Sequence, residues 1–315
     1  MLANRRHIRI KTMQSLYAMS ASNSDRLDVQ EKFLLNSIDK IQELYLTTIS
    51  ILIEIRQLEE DIIEKSAKKH LATDLDKKPS RKFVDNPILQ CIANSDDIHQ
   101  GLDDANIKYF QQNDQYIHQL LTEIKGDELY TDYMQKTNTT FKEDREFVVD
   151  VFRKIIAPNE KIYQFVEDSK ISWADDLPVV NTAVDKLIRS IKSTDQTIKV
   201  PHAFKNQEDQ KYAIDLLRRT ALNADDFKKM YVDKTKNWDQ DRIAEIDAII
   251  LNMAICELTR FPSIPIKVTI NEYLEIAKEY STPKSSIFIN GVLDSIIKEL
   301  RTNNQINKAG RGLIE

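Results

Sequence analysis

The chain has 315 residues, of which 41% are hydrophobic and 30% are charged, and its formal net charge is −5. Only five residues are glycine, whereas an average usage near 7% would give roughly 22. The phosphate-binding loops of Rossmann and P-loop folds need glycine where the backbone takes a positive φ or approaches the ligand closely. Gly101, Gly126, Gly291, Gly310 and Gly312 complete neither motif, which excludes those nucleotide sites in their usual forms. Together with only eight prolines, this predicts long helices joined by few turns.

The length suits one large or two ordinary domains. No apolar run reaches the roughly 18 residues of a membrane span, and the basic start lacks the apolar core of a signal peptide. We therefore expect a cytoplasmic protein that does not contact a membrane.

Neither catalysis nor a cofactor is predicted. Cys91 and Cys256 lie far apart and form no metal-binding motif, so we interpret them as small buried hydrophobes. The five histidines share no spacing typical of a metal site. We therefore predict no enzyme activity, no metal and no cofactor.

Positive charge is concentrated at the start of the chain. Residues 1–24 contain Arg5, Arg6, Arg9 and Lys11 and no acid, a local charge of +4, so the remainder carries −9. The apolar spacing over 3–20 predicts a helix that presents the arginines together. Arginine forks match phosphate oxygens bidentately, and a basic patch on an acidic body attracts a polyanion. An RNA-binding helix and an ordinary surface helix are both compatible with this pattern.

A second helix is predicted over 28–66, where apolar residues recur every three or four positions for about nine turns. Residues 65–82 are rich in lysine and arginine and are either a solvated linker or a second RNA-facing patch. Shorter helices are predicted over 87–93, 103–125 and 128–135.

Two stretches of the chain resemble each other. Residues 147–173 align without a gap on 212–238 at an offset of 65, and the aligned pairs include Trp173 with Trp238. The pattern indicates either a duplicated helical unit or two helical hairpins that are alike by chance.

The C-terminal part has the clearest local signals. An apolar helix over 243–260 is broken by Pro262 and Pro265. Thr269 and Glu272 have the spacing of a capping box. We expect Gly291, inside the last predicted helix, to allow close approach of a neighbouring helix.

Both ends of the chain carry a family resemblance. Residues 5–18, RRHIRIKTMQSLYA, resemble the opening helix of the NusB family, and residues 241–296 resemble it more closely. The matching positions of the second segment form the runs ID-x-x-IL-x-x-A-x-x-EL, IP-x-KV-x-INE and F-x-NGVLD, and they include Asp247, Glu257, Glu272, Phe288 and Gly291.

The resemblance implies an all-α bundle and a transcription antitermination factor that acts on ribosomal RNA operons. It implies binding to the boxA element of leader RNA together with NusE, a small-subunit ribosomal protein, and loading onto the RNA polymerase elongation complex. By position, Arg5, Arg6 and Arg9 match RNA-contacting arginines of the family. Tyr17 and Phe288 match aromatic residues near the RNA path.

By the same resemblance, Asp247 matches an acidic position on the side that faces NusE. The chain departs from the family in two respects. It is more than twice the usual length, and Lys284 stands where relatives often carry an acid.

The predicted organisation follows from where the resemblance lies. We predict a first helix at 1–20, an inserted helical region at 21–146, a degenerate copy of a helical unit at 147–206, a conserved NusB-like domain at 207–301 and a loose tail at 302–315. The predicted fold is therefore an all-α NusB-type bundle with additional helices.

Three alternatives for the function stay open at this stage. The first is a helical protein–protein adaptor that has lost RNA binding, and the second is a non-catalytic NusB-like RNA-binding module in ribosome biogenesis. A fused RNA cytosine methyltransferase is the weakest, because the chain lacks its glycine-rich cofactor site.

Overall fold

A computed structural model describes residues 1–68, 79–235, 244–306 and 308. Within these ranges the chain forms helices and has no strand, which confirms the all-α prediction. The helices are α1 Arg5–Ala21, α2 Leu27–Ala67, α3 Pro87–Ala93, α4 Asp96–Asp104, α5 Tyr109–Gln112, α6 Asp114–Gly126, α7 Glu128–Gln135, α8 Phe141–Val151, α9 Glu160–Ser169, α10 Leu177–Ser190, α11 Gln207–Leu222, α12 Ala224–Val232, α13 Glu245–Arg260, α14 Ile266–Tyr280 and α15 Ser285–Thr302.

None of the helices in the described ranges is long and apolar enough to span a membrane. The chain divides into two compact units. The central unit comprises Met1–Leu2 and Asp39–Ala203, and the terminal unit comprises Ala3–Ile38 and Phe204–Glu315.

The central unit is built on α2 from Asp39 onward. Its core side chains recur at the helical period along α2, among them Ile41, Leu44, Ile49 and Leu52, all at most 3% exposed. Such a continuous apolar stripe stabilises a helix by burial rather than by intrinsic propensity.

Aromatic contacts fill the rest of the central unit's core. Trp173 is fully buried and its indole N–H donates to the Lys40 carbonyl at 3.1 Å. Between α7 and α8, the rings of Tyr133 and Phe147 stack with centroids 3.9 Å apart. Buried rings of this size contribute a large apolar area to a core.

The terminal unit is built around α1. This helix packs against α11 and α13, and α13, α14 and α15 pack in succession. Every residue from His7 to Met13 is buried, so nearly two turns of α1 are enclosed on all sides. The helix is therefore a core element that is open to solvent only at its two ends. Asn4 caps the first end, where its side chain accepts from the His7 N–H at 2.9 Å.

Three local predictions are corrected by the structure. The helix predicted over 103–125 is divided into α4, α5 and α6, because Asn106 takes a left-handed conformation with φ 49° and ends α4. Helix α14 begins at Ile266 after Pro265, so Thr269 lies inside it and caps nothing. Nothing in the described part of the chain lies within 4 Å of a Cβ built on Gly291, so no neighbouring helix explains this glycine.

The proposed duplication stays a prediction. At its offset of 65, the break between Ile156 and Glu160 corresponds to the break between α11 and α12 at Asn223. The pair Phe147 and Tyr212 is buried in both copies. Trp238 lies outside the described residues.

Candidate nucleic-acid interface

Two arginines lie at the open N-terminal end of α1. The Nε and Nη2 atoms of Arg6 donate to the two carboxylate oxygens of Glu272 at 2.9 and 3.0 Å. Hydrogen bonding to Glu272 and the negative charge of that carboxylate raise the pKa of Arg6. Arg5 donates through Nε to Asp209 at 3.0 Å and lies over the ring of Tyr212, 4.8 Å from its centroid. Both guanidinium groups are thus held in place by carboxylates of the same unit.

Neither arginine is saturated by these contacts. The Nη1 atom of Arg6 and both Nη atoms of Arg5 donate to no acceptor in the described part of the chain. The two side chains are 44% and 41% exposed. A guanidinium carries five N–H donors, so each arginine has donors left for an anion from solvent.

These arginines line an open cleft of about 570 Å³. The opposite wall comes from the connection between α13 and α14 and the start of α14, with Ile264, Pro265, Val268 and Glu272. No side chain caps the first N–H groups of α14, and the start of a helix carries partial positive charge. The cleft therefore combines arginine donors with a helix start, and both favour an anionic ligand.

Arg9 also lines the cleft, although its side chain is buried in the core of the terminal unit. Its Nε and Nη2 atoms donate to the two carboxylate oxygens of Glu257 at 2.8 and 2.9 Å, and both side chains are at most 3% exposed. Its Nη1 atom lies 3.7 Å from Glu272. The prediction that Arg5, Arg6 and Arg9 form one outward row is therefore corrected, because α1 is buried on every side at Arg9.

Glu257 is the centre of a buried hydrogen-bond network. Besides Arg9, it accepts from the hydroxyls of Tyr212, Thr269 and Tyr273. Burial, together with the adjacent carboxylate, raises the pKa of Tyr212 well above its usual value, so its hydroxyl stays protonated and donates. A fully buried charge is tolerated only when it is paired and hydrogen-bonded in this way. The network fixes α1 against α11, α13 and α14, and so fixes the position of Arg5 and Arg6.

The other three predicted site residues differ in their exposure to solvent. Tyr17 is 43% exposed at the far end of α1, eleven residues or about 16 Å from Arg6. Phe288 is buried in α15. Asp247 is buried and accepts from the hydroxyls of Ser281 and Ser285 at 2.6 and 2.7 Å. Neither Phe288 nor Asp247 is presented to a ligand in this conformation.

The basic stretch 65–82 belongs to the central unit, and its residues 69–78 lie outside the described part of the chain. Arg81 pairs with Glu60 and Asp85. Lys82 donates to backbone carbonyls and lies 4.3 Å from the ring centroid of Tyr133. These two cations are already occupied and form no patch for RNA.

The carboxylates of the site were not predicted as site residues. The sequence predicts Glu272 only as part of a capping box and assigns no role to Asp209. Their pairing with Arg6 and Arg5 spans 266 and 204 residues. Glu257 carries a usable signal, since it is the one acid between Ile249 and Leu258 of α13, a stretch that is otherwise almost entirely apolar. No group of three potential ligands in the described ranges could hold a metal ion.

Comparison with known proteins matches one part of the chain to a known family. The model of the NusB family matches residues 182–298. The transcription antitermination protein NusB of Salinibacter ruber is 43% identical over 103 residues, which are 33% of this chain and 64% of the relative. The protein of the same name from Chloroherpeton thalassium is 38% identical over 100 residues, 32% of this chain and 47% of the relative. The one from Finegoldia magna is 42% identical over 104 residues, 32% of this chain and 76% of the relative.

The chain thus spans less than two thirds of the first two of these relatives. No solved structure gives a significant match.

Proposed function

The chain belongs to the NusB family, and on that premise we propose that it is a non-catalytic transcription antitermination factor that binds RNA through its terminal unit. The observation that carries the proposal is the pair Arg5 and Arg6, with unsatisfied Nη donors on an open cleft. Such donors bind phosphate oxygens without chemistry on the ligand. The name of all three relatives supports the same activity.

In this proposal the ligand is boxA-type RNA of ribosomal leader transcripts, bound together with NusE and presented to the RNA polymerase elongation complex. These finer assignments rest on the family resemblance of the two ends of the chain. Arg5 and Arg6 neutralise phosphates, and exposed Tyr17 stacks on an unpaired base. Arg9 supports both arginines from the core, while Phe288 and Asp247 stabilise α15 and its connection to α14.

Binding of labelled boxA RNA in the presence of NusE tests the arginine assignment. We expect Arg5→Ala and Arg6→Ala each to weaken binding about tenfold and to lower the slope of log K against log salt by about 1, as for loss of one phosphate contact. Arg218→Ala is the matched control. Arg218 is also an exposed, paired arginine of the terminal unit, bound to Glu31 and outside the cleft.

The proposal fails if Arg5→Ala and Arg6→Ala bind as tightly as Arg218→Ala. Arg9→Ala is unsuitable for this comparison, because removing one partner of a buried ion pair destabilises the fold. Circular dichroism of each variant establishes that the cleft variants remain folded.

A further inference from the structure

The cleft contains an acid where a site for phosphate alone would have none. Glu272 lies on the same wall as Pro265 and Val268 and is 21% exposed. Its carboxylate repels a phosphate that approaches Arg6. A ligand that fits the cleft must therefore offer hydrogen-bond donors near Glu272 as well as an anion near the arginines.

Glu272 has acceptor capacity left for such donors. Each of its oxygens accepts one hydrogen bond from Arg6, and a carboxylate offers about four lone-pair sites in total. The bidentate pair also holds the carboxylate in one orientation. Glu272 can therefore accept from a ligand without releasing Arg6.

The rest of the wall is apolar. Ile264, Pro265 and Val268 contribute it, and Val268 is 42% exposed. Apolar side chains of this kind pack against the face of an unstacked base. The volume of about 570 Å³ lies within the range of roughly 300 to 1,000 Å³ of small-molecule clefts.

We propose that the cleft holds one unpaired nucleotide of the RNA and that Glu272 selects a base with an exocyclic amino group. Its phosphate contacts Arg5 and Arg6, its base packs on Pro265 and Val268, and its amino group donates to Glu272. Carboxylates accept in this way from the N4 amino group of cytosine. Uracil presents carbonyl oxygens instead, which the carboxylate repels. This inference rests on the proposed function and adds the specificity-determining residue.

Oligo(C) and oligo(U) of twelve nucleotides are matched probes, since both are pyrimidine strands and they differ at the amino group. We expect the whole chain to bind oligo(C) about tenfold more tightly than oligo(U) at pH 7.5, within the range for one good contact to a base edge. In Glu272→Gln the amide donates as well as accepts. Its preference should fall below twofold, and its affinity for oligo(U) should rise.

Glu275→Gln is the control, because it removes the same charge from the next turn of α14. Glu275 pairs with Lys278 and makes no hydrogen bond to an arginine of the cleft. It should keep the tenfold preference. Equal binding of both strands by the unchanged protein overturns the inference, as does equal loss of preference in both variants. The proposed function survives either result, whereas absence of binding to boxA RNA in the presence of NusE defeats both.

Discussion

The two units differ in the sign of their charge and in where that charge lies. The central unit carries 30 acidic and 22 basic residues, a net charge of −8, whereas the terminal unit carries 20 acidic and 23 basic residues, a net charge of +3. The family match lies mostly in the terminal unit, from residue 204 to 298. The net positive charge thus lies in the unit that carries the family's motifs, and the central unit enlarges the protein with net negative charge. Such a distribution favours the approach of a polyanion to the terminal unit.

Their interiors also differ. The terminal unit buries a complete ion pair between Arg9 and Glu257. In the central unit, Tyr133 stacks on Phe147 and its hydroxyl donates to the buried carboxylate of Asp144 at 2.8 Å, and the buried carboxylate of Glu59 pairs with Lys125, which is 39% exposed. Loss of the cation therefore leaves a fully buried carboxylate in the pair of the terminal unit, whereas solvent already reaches the cation of the Glu59 pair.

The largest expected effect comes from these ion pairs. Arg9→Met leaves the Glu257 carboxylate buried without its cation, so we expect a loss of about 3–5 kcal/mol in the free energy of unfolding. Lys125→Met should cost about 1 kcal/mol, because solvent reaches that lysine. Urea unfolding followed by circular dichroism measures both. Equal losses would contradict the contrast between the two interiors.

A smaller effect is expected at one glycine in each unit. Gly291→Ala in α15 should stabilise the protein by about 0.5–1 kcal/mol, because alanine favours helix and the space around it is open. In Gly101→Ala the new Cβ would lie 3.1 Å from Leu46 Cδ1, so the helical gain should be lost to crowding. Thermal unfolding measures the change in stability of both variants. A gain in Gly101→Ala and a loss in Gly291→Ala would reverse this assignment.

The smallest effect is expected in the reactivity of the two thiols, one in each unit. Burial raises the pKa of Cys256 to about 12, and burial raises the pKa of Cys91 as well. The thiolate is the reactive form, so both should react slowly with iodoacetamide at pH 8. Cys91 should react first, because it lines an open cleft of the central unit while Cys256 is fully buried. Peptide mass spectrometry gives the order in which the two thiols are labelled. Labelling of Cys256 before Cys91 would show that the terminal unit opens more readily than the central unit.

Local patterns predicted the helices well. The spacing of apolar residues indicated α1 and α2 within a few residues of their ends, because periodic burial is a short-range signal. The capping-box pattern placed the start of α14 too late. Thr269 and Glu272 have the spacing of a capping box, but their side chains bind Glu257 and Arg6. A motif of four residues carries no information about partners elsewhere in the chain.

The candidate site was predicted in part. Its arginines were identified from charge and resemblance, but their exposure was not. Whether Arg9 points outward depends on Glu257, which lies 248 residues away. The same applies to Phe288 and Asp247, since a motif gives a residue's position in the sequence and burial depends on the packing of several helices.

The buried position of α1 also has a consequence for synthesis of the chain. Glu257 follows its partner Arg9 out of the ribosome 248 residues later, which is roughly 10–50 s at about 5–20 residues per second. Residues 39–203, nearly all of the central unit, are translated completely within that interval. The cleft needs Glu272 as well, so it forms only after the central unit has been translated. A nascent chain that does not yet include Glu272 therefore lacks the cleft that we propose to bind RNA.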